Sequence, residues 1–305
     1  MAPHVPVMLA EVLRHLALKE GARVVDATLG IGGHAQAILR RIGSEGRLIG
    51  IDRDADMLAH ARERLAPWQE HVELCCEPHS ELGRVARDCG LERADAILLD
   101  LGVCSLQLDD PERGLGFRSA SERAPLDMRL DRRRGGTAAD LLADLDENGL
   151  VELLRAGDVP APRRVARALR VAAPIQTTGA LLAALEGVRL PRRRHHPATL
   201  VFQALRMAVN DEAHELESAL EAAVELLAPG GRLVVLSYHS GDDRRVKHFL
   251  RREERGCICP PRLPQCACGR TPRLGIVARG EVASEREVRL NPRARSARLR
   301  GAERW

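Results

Sequence analysis

The sequence predicts an α/β fold, a parallel sheet with helices on both faces, interrupted by a helical insertion. The first observation is the regular alternation of short apolar strands and helices over the first hundred residues. The second is that this alternation stops from about residue 109 to residue 197, and the third is that a strand pattern resumes after the Pro-Gly-Gly turn at 229–231. Repeated βα units favour parallel strands, because each helix returns the chain to the same end of the sheet.

Four short apolar runs in the first hundred residues are predicted to be buried strands. They lie at 24–27, 48–51, 72–76 and 96–99. The stretches between them have helical periodicity and lie at 35–41, 55–65 and 82–89. A fifth strand at 232–237 follows a long amphipathic helix at 198–227, and strand-like pieces stand in the tail at 274–278 and 297–300.

Between residues 109 and 197 the chain reads as an arginine-rich loop followed by helical pieces. These pieces lie at 138–145, 150–154, 163–171 and 179–185. We therefore expect one domain to be split around another. The core is predicted from residues 1–108 and 198–305, and the helical insertion from residues 109–197, with a role in substrate recognition.

Composition indicates a globular protein, because 305 residues with 45% hydrophobic content are ample for a core. No run approaches the roughly 18 apolar residues of a membrane span, so we expect a cytoplasmic protein without a membrane partner. The formal net charge of +4 is unevenly placed, since residues 241–305 hold 17 Arg and Lys against 8 Asp and Glu. This basic tail suggests a polyanionic partner such as nucleic acid.

The segment D-A-T-L-G-I-G-G-H at 26–34 directly follows the first strand, and Asp52 ends the second strand nineteen residues past Gly33. A glycine turn lets the backbone approach a ligand, and a carboxylate at a strand tip can accept hydrogen bonds from both ribose hydroxyls. A dinucleotide site would prefer G-x-G-x-x-G, so that a helix N-terminus faces a pyrophosphate. An acid beside the turn instead suits a cofactor with ammonium and sulfonium groups, such as S-adenosylmethionine.

Two further loops are expected at the same edge of the sheet, if the first and fourth strands are neighbours. Asp100 ends the fourth strand, and with Gln107 it offers hydrogen-bonding groups to a nucleoside; an Asx turn at Asp100 is the alternative. After the fifth strand, Tyr238 could stack on a base and His239 could hydrogen-bond it, while Asp242 could simply cap the next helix.

Arginine-rich segments are candidate phosphate contacts, although such runs are more often solvated faces. They are the runs at 132–134 and 192–196 and the segment N-P-R-A-R-S, which contains Arg293 and Arg295.

The tail also holds two C-x-C pairs, Cys257 with Cys259 and Cys266 with Cys268. Four thiolates could close a tetrahedral zinc site, although zinc pairs more often have C-x2-C spacing. Free thiols in a reducing cytosol are the alternative. The sequence does not choose between them, and no metal is assigned.

Taken together, these segments resemble the ribosomal small-subunit RNA methyltransferase H family, bacterial enzymes that methylate N4 of a decoding-centre cytidine. The matching text runs in order along nearly the whole chain: H-V-P-V at 4, D-A-T-L-G-I-G-G-H at 26, G-I-D-R-D at 50, L-L-D-L-G-V at 98, Q-L-D-D-P-E-R-G at 107, P-L-D-M-R at 125, H-P-A-T at 196, F-Q-A-L-R at 202, A-P-G-G-R-L at 228, Y-H-S at 238 and N-P-R-A-R-S-A at 291. Any one match is weak, whereas the series is highly specific.

The resemblance implies a class I S-adenosylmethionine-dependent methyltransferase sheet, Rossmann-like, with an inserted helical domain. By matching positions, it implies that seven residues contact S-adenosylmethionine: Gly32, Gly33, His34, Asp52, His79, Asp100 and Gln107. The chain departs from the family at His79, where Phe is usual, at Cys104 and Leu106, which replace Ser and Pro, and at Gly241-Asp242, which replaces Leu-Glu. His79 can still lie flat against an adenine.

The expected reaction is displacement of the sulfonium methyl group by the exocyclic amine of a cytosine. Asp100 is the expected acceptor of the leaving proton, which conflicts with its implied place in the cofactor site. Substrate contacts are expected from Tyr238, His239, Arg293 and Arg295. The resemblance implies that the substrate is small-subunit ribosomal RNA, either naked or in an assembled subunit, and a homodimer is an open alternative.

Two other functions compete with this interpretation. A DNA amino-methyltransferase shares the fold, but it would normally carry a D/N/S-P-P-Y/F motif after the fourth strand, where this chain has D-L-G-V at 100–103. A non-catalytic RNA-binding or assembly factor would have a decayed cofactor site, and the intact Gly32, Gly33 and Asp52 argue against decay.

Overall fold

The computed structural model describes residues 6–116, 123–188, 197–260, 265 and 267–305. The basic run at 192–196 and Cys266 therefore lie outside the described residues. The chain divides into two compact units, one formed by Met1–Gly102 with His214–Trp305 and the other by Val103–Ala213.

The part of the chain described here contains seven strands and thirteen α-helices. The strands are β1 (Arg23–Asp26), β2 (Arg47–Ile51), β3 (Val72–Cys75), β4 (Ala94–Asp100), β5 (Leu227–Ser237), β6 (Leu274–Val282) and β7 (Arg298–Arg304). The helices are α1 (Leu9–Leu16), α2 (Gly33–Ile42), α3 (Ala55–Leu65), α4 (Leu82–Asp88), α5 (Ser105–Asp109), α6 (Ala138–Asp144), α7 (Glu147–Ala156), α8 (Pro162–Val171), α9 (Thr178–Glu186), α10 (Pro197–Val209), α11 (Glu212–Leu226), α12 (Ser240–Arg255) and α13 (Glu285–Leu290).

All seven described strands form one sheet in the order β3-β2-β1-β4-β5-β7-β6. The first five strands are parallel, whereas β7 runs antiparallel to both β5 and β6. The prediction that the first and fourth strands are neighbours is confirmed, since Asp26 aligns with Leu98 of β4 and with Gly50 of β2. The strand order reverses at this point, which is where open α/β sheets bind ligands.

Alternate side chains of the central strands point into two different cores. Ile97 and Leu99 of β4 join a cluster with residues of α4, α11 and α12, while Ala96 and Leu98 join a cluster with residues of α1, α2 and α3. Strands buried on both faces read as continuous apolar runs, because successive side chains point to opposite sides. The first unit is thus a sheet covered by helices on both faces.

The predicted single helix at 198–227 is wrong, because the chain breaks at Asn210 and Asp211. Asp211 has φ 47°, and the Asn210 side chain donates to the Met128 carbonyl and accepts from the Leu130 N–H, each at 2.8 Å. A buried amide that is bonded in this way fixes the chain at the end of α10.

This break explains where the two units divide. Phe202 and Leu205 of α10 belong to the core of the second unit, whereas Leu216 and Leu220 of α11 belong to a core of the first. The unit boundaries therefore fall after Gly102 and Ala213, compared with the predicted boundaries after residues 108 and 197. The substrate-recognition role of the second unit remains a prediction.

The C-terminal tail is part of the sheet. Arg300 of β7 forms a bidentate ion pair with Asp243 of α12, at 2.8 and 3.0 Å, and it is largely buried. A bidentate guanidinium–carboxylate pair fixes orientation as well as position. Within the described residues, no helix is both long and apolar enough to cross a bilayer.

Replacement of Gly157 by alanine is expected to destabilise the second unit. Gly157 follows α7, and a Cβ added there would lie 2.3 Å from Ala204 Cβ of α10. We expect the free energy of unfolding to fall by about 1–3 kcal/mol, the usual effect of overpacking. Chemical denaturation of the full chain, followed by circular dichroism, measures it.

Gly187→Ala is the matched control. Gly187 follows α9 in the same unit with an ordinary φ of −78°, and among the described residues nothing lies within 4 Å of an added Cβ. Its stability should be unchanged or slightly higher, because alanine restricts the unfolded chain. Equal losses in the two variants would contradict the close packing at Gly157.

Candidate active site

The loop between β1 and α2 contains the predicted glycine turn. Gly32 has φ 76°, in the left-handed region that favours glycine, and it immediately precedes α2. Gly33 has an ordinary φ, but a Cβ there would lie 2.8 Å from Pro6 Cγ. Gly30, with φ 53°, and Gly32 thus serve the backbone conformation of the turn, and Gly33 serves its close packing.

Three carboxylates meet at the carboxyl ends of β1, β2 and β4. They belong to Asp26, Asp52 and Asp100. Burial raises the pKa of Asp26 to about 8, the Thr28 N–H opposes this rise, and the charges of Asp100 and Asp52 add to it. Carboxylates that repel one another in a buried site favour a ligand that brings positive charge.

Asp52 is held by two backbone donors. Its Oδ2 accepts from the Gly30 N–H at 2.7 Å, and its Oδ1 accepts from the Asp54 N–H at 2.9 Å. Burial raises the pKa of Asp52 to about 6, and these two hydrogen bonds limit the rise. The glycine turn and the predicted ribose acceptor are therefore joined directly.

Asp100 is fixed by side chains from two other loops. The Tyr238 hydroxyl donates to Asp100 Oδ1 at 2.7 Å, and His34 Nδ1 lies 3.4 Å from Asp100 Oδ2. The Asp100 N–H donates to the Thr28 hydroxyl oxygen at 2.5 Å. Burial, followed by the charge of Asp100, raises the pKa of Tyr238, so its phenol remains a neutral donor.

The contacts of His34 indicate where its protons lie. His34 Nε2 is 3.0 Å from the Val7 carbonyl oxygen, which can only accept, so Nε2 carries a hydrogen. The other ring nitrogen, Nδ1, faces Asp100 Oδ2.

Tyr238 and His239, the predicted nucleobase contacts, lie on the same edge of the sheet, and both side chains contact other residues of the protein. The Tyr238 hydroxyl is bound to Asp100, and its ring is half-buried against the core. His239 Nε2 lies 2.5 Å from Asp242 Oδ2, in the first turn of α12. Their roles toward a substrate base remain predictions.

His79 and Gln107 stand in different units. His79 begins a short 3₁₀ turn after β3 in the first unit. Gln107 lies in α5 of the second unit, buried, and its side-chain oxygen accepts from the Cys104 N–H at 2.9 Å. Gln107 thus caps its own helix, and the cofactor contact of each residue remains a prediction from the resemblance.

Sequence reasoning missed Glu215, which connects two loops of the candidate site. From α11, its Oε1 accepts from Arg53 at 3.1 Å and its Oε2 accepts from the Ser80 N–H at 3.2 Å. Arg53 follows Asp52, and Ser80 follows His79. A glutamate in an amphipathic helix is normally exposed. The sequence pattern around Glu215 therefore does not indicate that this side chain is buried between two loops.

The arginine-rich segments differ in their surroundings. In the run at 132–134, Arg133 and Arg134 pair with Asp131 at 2.8 and 3.6 Å, and Arg132 pairs with Asp127 at 3.6 Å. This run is therefore partly neutralised.

The tail segment is anchored by one buried alanine. Arg293 and Arg295 are exposed on either side of the buried Ala294, in a 3₁₀ turn before β7. Exposed arginines on a rigid turn suit phosphate contacts, and this role remains a prediction.

A family model described as the MraW methylase family matches residues 1–305. The chain belongs to this family. Among its relatives is the Ribosomal RNA small subunit methyltransferase H of Geobacter sulfurreducens (strain ATCC 51573 / DSM 12127 / PCA), 48% identical over 309 residues, or 98% of each chain. The protein of the same name from Oleidesulfovibrio alaskensis (strain ATCC BAA-1058 / DSM 17464 / G20) is 42% identical over 314 residues, or 99% of this chain and 95% of that one.

Among solved structures, the putative rRNA-methylase from Clostridium thermocellum is similar to this chain at 15% identity, with a TM-score of 0.46, and covers 99% of this chain and 100% of its own. Membership of the MraW methylase family confirms the resemblance inferred from the motifs and the methyltransferase activity. The seven-stranded sheet confirms the predicted fold class. S-adenosylmethionine is the cofactor of this enzyme class.

The described residues of the site fit this cofactor. The oxygens of Asp52 can receive ribose hydroxyls beside the glycine turn, and the negative charge of the carboxylates at the strand ends suits the ammonium and sulfonium groups. The buried, high-pKa carboxyl of Asp26 gains most from such a cation, because a positive neighbour favours its ionised form.

Replacement of Asp26 by asparagine is expected to change how stability depends on pH. The pKa of Asp26 is about 8 in the folded protein and about 3.8 when exposed. Between these two pH values, the Asp26 carboxyl loses its proton in the unfolded chain but keeps it in the folded protein. The free energy of unfolding of the unmodified protein should therefore fall as pH rises from about 4 to 8. Asp26→Asn should be about equally stable near pH 4 and more stable near pH 8.

Denaturant unfolding at several pH values measures this difference. Glu70→Gln, which removes an exposed carboxylate of the same unit, is the control and should follow the unmodified protein. If Asp26→Asn and the unmodified protein had parallel pH profiles, Asp26 would be ionised throughout, and the burial argument would fail.

Proposed function

We propose that this protein methylates the N4 amine of a specific cytidine in the decoding region of 16S ribosomal RNA, with S-adenosylmethionine as methyl donor. The observation that carries the proposal is the identity of 42–48%, over nearly the whole length, to relatives named Ribosomal RNA small subunit methyltransferase H. The ordered motifs of the chain support the choice of base and atom. The buried carboxylates beside the glycine turn support the cationic donor.

Six residues of the first unit are proposed to bind the cofactor. They are Gly32, Gly33, His34, Asp52, His79 and Asp100. When bound, S-adenosylmethionine supplies an electrophilic methyl group on a sulfonium centre. Asp52 would hold the ribose, and Glu215 would position the Asp52 and His79 loops through its bonds to Arg53 and Ser80.

Asp100 is proposed to accept the proton that leaves the amine, directly or through water. A cytosine amine is a poor nucleophile because its lone pair is delocalised into the ring, so alignment and proton removal both matter. Tyr238 and His34 hold the two Asp100 oxygens in place. A carboxylate with fixed orientation costs no reorganisation when it accepts the proton.

The proposed contacts with RNA come from two exposed arginines and from two side chains at the strand edge. Arg293 and Arg295 would contact RNA phosphates, while Tyr238 and His239 lie at the strand edge where the base would enter. The second unit would recognise the RNA around that base. The substrate is either naked RNA or an assembled small subunit, and either one places the protein in the cytoplasm. A homodimer is compatible with this proposal.

The function is tested by transfer of a tritiated methyl group from S-adenosylmethionine. Small subunits from a strain lacking this methylation, free 16S RNA and DNA are offered separately, and the labelled nucleoside is identified. We expect N4-methylated cytidine from a ribosomal substrate. Label found only in DNA would support the DNA amino-methyltransferase, and no label on any substrate would support a non-catalytic factor.

Replacement of Asp100 by asparagine separates its two expected roles. Asparagine keeps the size and one acceptor oxygen of the side chain but cannot take the proton, so turnover should fall by about 10²–10⁴-fold, and by much more than cofactor affinity. Calorimetry gives the affinity and single-turnover methyl transfer gives the rate. Loss of affinity as the main effect would show that Asp100 is a cofactor ligand only.

Asp95→Asn is the matched control, because Asp95 lies near the other end of β4 and contacts Arg23 at the surface, its Oδ2 accepting from the Arg23 N–H at 2.7 Å and lying 3.9 Å from Arg23 Nε. An asparagine oxygen can still accept that hydrogen bond, so both affinity and rate should remain unchanged.

The affinity for S-adenosylmethionine is expected to rise between pH 5 and pH 7. The pKa of Asp52 is about 6, and its ionised form is the better acceptor for ribose hydroxyls and the better partner for a cation. Asp52→Asn should weaken binding by roughly 10–100-fold, as expected for hydrogen bonds to a charged group worth about 1.5–3 kcal/mol. It should also flatten the pH profile.

Calorimetric titrations at each pH measure both effects. Binding that is equally strong at pH 5 and pH 7 in the unmodified protein would contradict the assignment of Asp52 as the titrating ribose acceptor.

A further inference from the structure

The loop between α12 and β6 brings three cysteine sulfurs together. The loop covers residues 256–273, and its described parts contain Cys257, Cys259 and Cys268. Their Sγ atoms all lie within 4.8 Å of one another, and those of Cys257 and Cys268 are 3.9 Å apart. Cys268 is eleven positions from Cys257 in the chain, but its sulfur joins those of Cys257 and Cys259 in one cluster.

These separations suit a tetrahedral metal site. With a zinc–sulfur distance of about 2.3 Å, two sulfurs on one tetrahedral zinc ion lie about 3.8 Å apart. A disulfide would need about 2.05 Å. The Ala267 N–H points at Cys259 Sγ, with N···S 3.4 Å. Such a hydrogen bond stabilises negative charge on sulfur and orients it, as outer partners of metal ligands do.

The two ends of the loop are locked against each other. Gly256 has φ 68°, and a Cβ there would lie 2.3 Å from both the Thr271 carbonyl carbon and the Pro272 nitrogen. The backbones of the two ends are therefore in direct contact. The sulfur cluster closes the loop just beyond this contact.

A buried carboxylate also holds the two ends of this loop together. Glu253, in the last turns of α12, is fully buried and accepts from Arg273 at 2.6 Å and from Arg270 at 3.2 Å. Its carbonyl oxygen also accepts from the Arg273 N–H at 3.0 Å. The chain before Cys257 and after Cys268 is thus held in place, which favours a preformed binding site over three independent thiols.

We propose that Cys257, Cys259 and Cys268 bind a zinc ion as thiolates and that this ion stabilises the α12–β6 loop. Thiolate ligands select zinc over magnesium or calcium, which prefer oxygen. Each cysteine releases its thiol proton to solvent when it binds the metal. The site is structural, and it is separate from the carboxylates that surround the proposed cofactor.

The first experiment uses the unmodified full chain, purified in reductant without a metal-affinity step. Metal content is measured by mass spectrometry of the elements, before and after addition of Zn²⁺ alone and removal of the excess. We expect about one equivalent of zinc. Cysteines are then alkylated briefly with and without a chelator, and the modified peptides are identified.

Cys257, Cys259 and Cys268 should be protected until the chelator is added. Cys75 and Cys89 are the internal controls, because they also form a close sulfur pair, at 3.8 Å, in the same protein. Burial raises the pKa of Cys89 to about 12, so its alkylation should be slow with or without chelator. A disulfide between Cys257 and Cys268, or equal alkylation of the three cysteines in both conditions, would overturn the proposal.

Variants test the ligands individually. Cys257→Ser, Cys259→Ser and Cys268→Ser should each weaken zinc binding by more than the roughly 10–100-fold that loss of an outer partner costs. Cys89→Ser should leave zinc binding unchanged. Zinc retained at full affinity when Cys257, Cys259 and Cys268 are all replaced would place the ion elsewhere and refute the site.

The cofactor site provides an independent readout. Because the sulfur cluster and the carboxylates are distinct, S-adenosylmethionine should still bind after zinc removal, while the midpoint of thermal unfolding falls. A loop that is equally protected from proteolysis with and without zinc would contradict the stabilising role, and it would do so without bearing on the methyltransferase activity.

Discussion

The structure of the candidate site depends on placing three carboxylates at neighbouring strand ends. Parallel pairing of β1 with β2 and β4 forces Asp26, Asp52 and Asp100 toward one another. Burial, with the charges of Asp100 and Asp52, raises the pKa of Asp26 to about 8, and burial raises that of Asp52 to about 6. Buried carboxylates without a positive partner lower the free energy of unfolding, and a positively charged ligand bound beside them would raise it.

The surroundings of Asp100 show how distant parts of the first unit support that site. The Val7 carbonyl orients His34, and Tyr238 reaches Asp100 from the end of β5. The segment before α1 is itself tied to the tail, since the Met8 N–H donates to Glu287 at 2.5 Å. The two ends of the chain therefore both contribute to the orientation of one carboxylate, although neither forms part of the central βα units.

The sequence predicted the elements whose physical cause is local. The glycine turn, Asp52 and the adjacent first and fourth strands follow from short-range patterns, because apolar runs and turn residues report directly on the backbone. The ends of the units could not be predicted in this way. Asn210 breaks an otherwise continuous helical pattern through bonds to Met128 and Leu130, which are some eighty residues earlier in the chain.

Side-chain partners across the fold were equally invisible. Glu215 and the Arg300–Asp243 pair look like ordinary surface charges in an amphipathic helix and a basic tail. Their burial depends on which elements meet, and one sequence gives no measure of that. The same limit applies to Tyr238, whose pattern suggested base stacking and whose hydroxyl is bound to Asp100.

The sheet order has a consequence for biosynthesis. In the described sheet, β7 stands between β5 and β6, so β6 has no partner until β7 is in place. β7 spans Arg298–Arg304 and is the most C-terminal of the described strands. During synthesis β5 and β6 leave the ribosome before β7, because the chain emerges in sequence order. The first unit is therefore completed only when β7 has emerged, and the outer edge of β5 stays exposed until then.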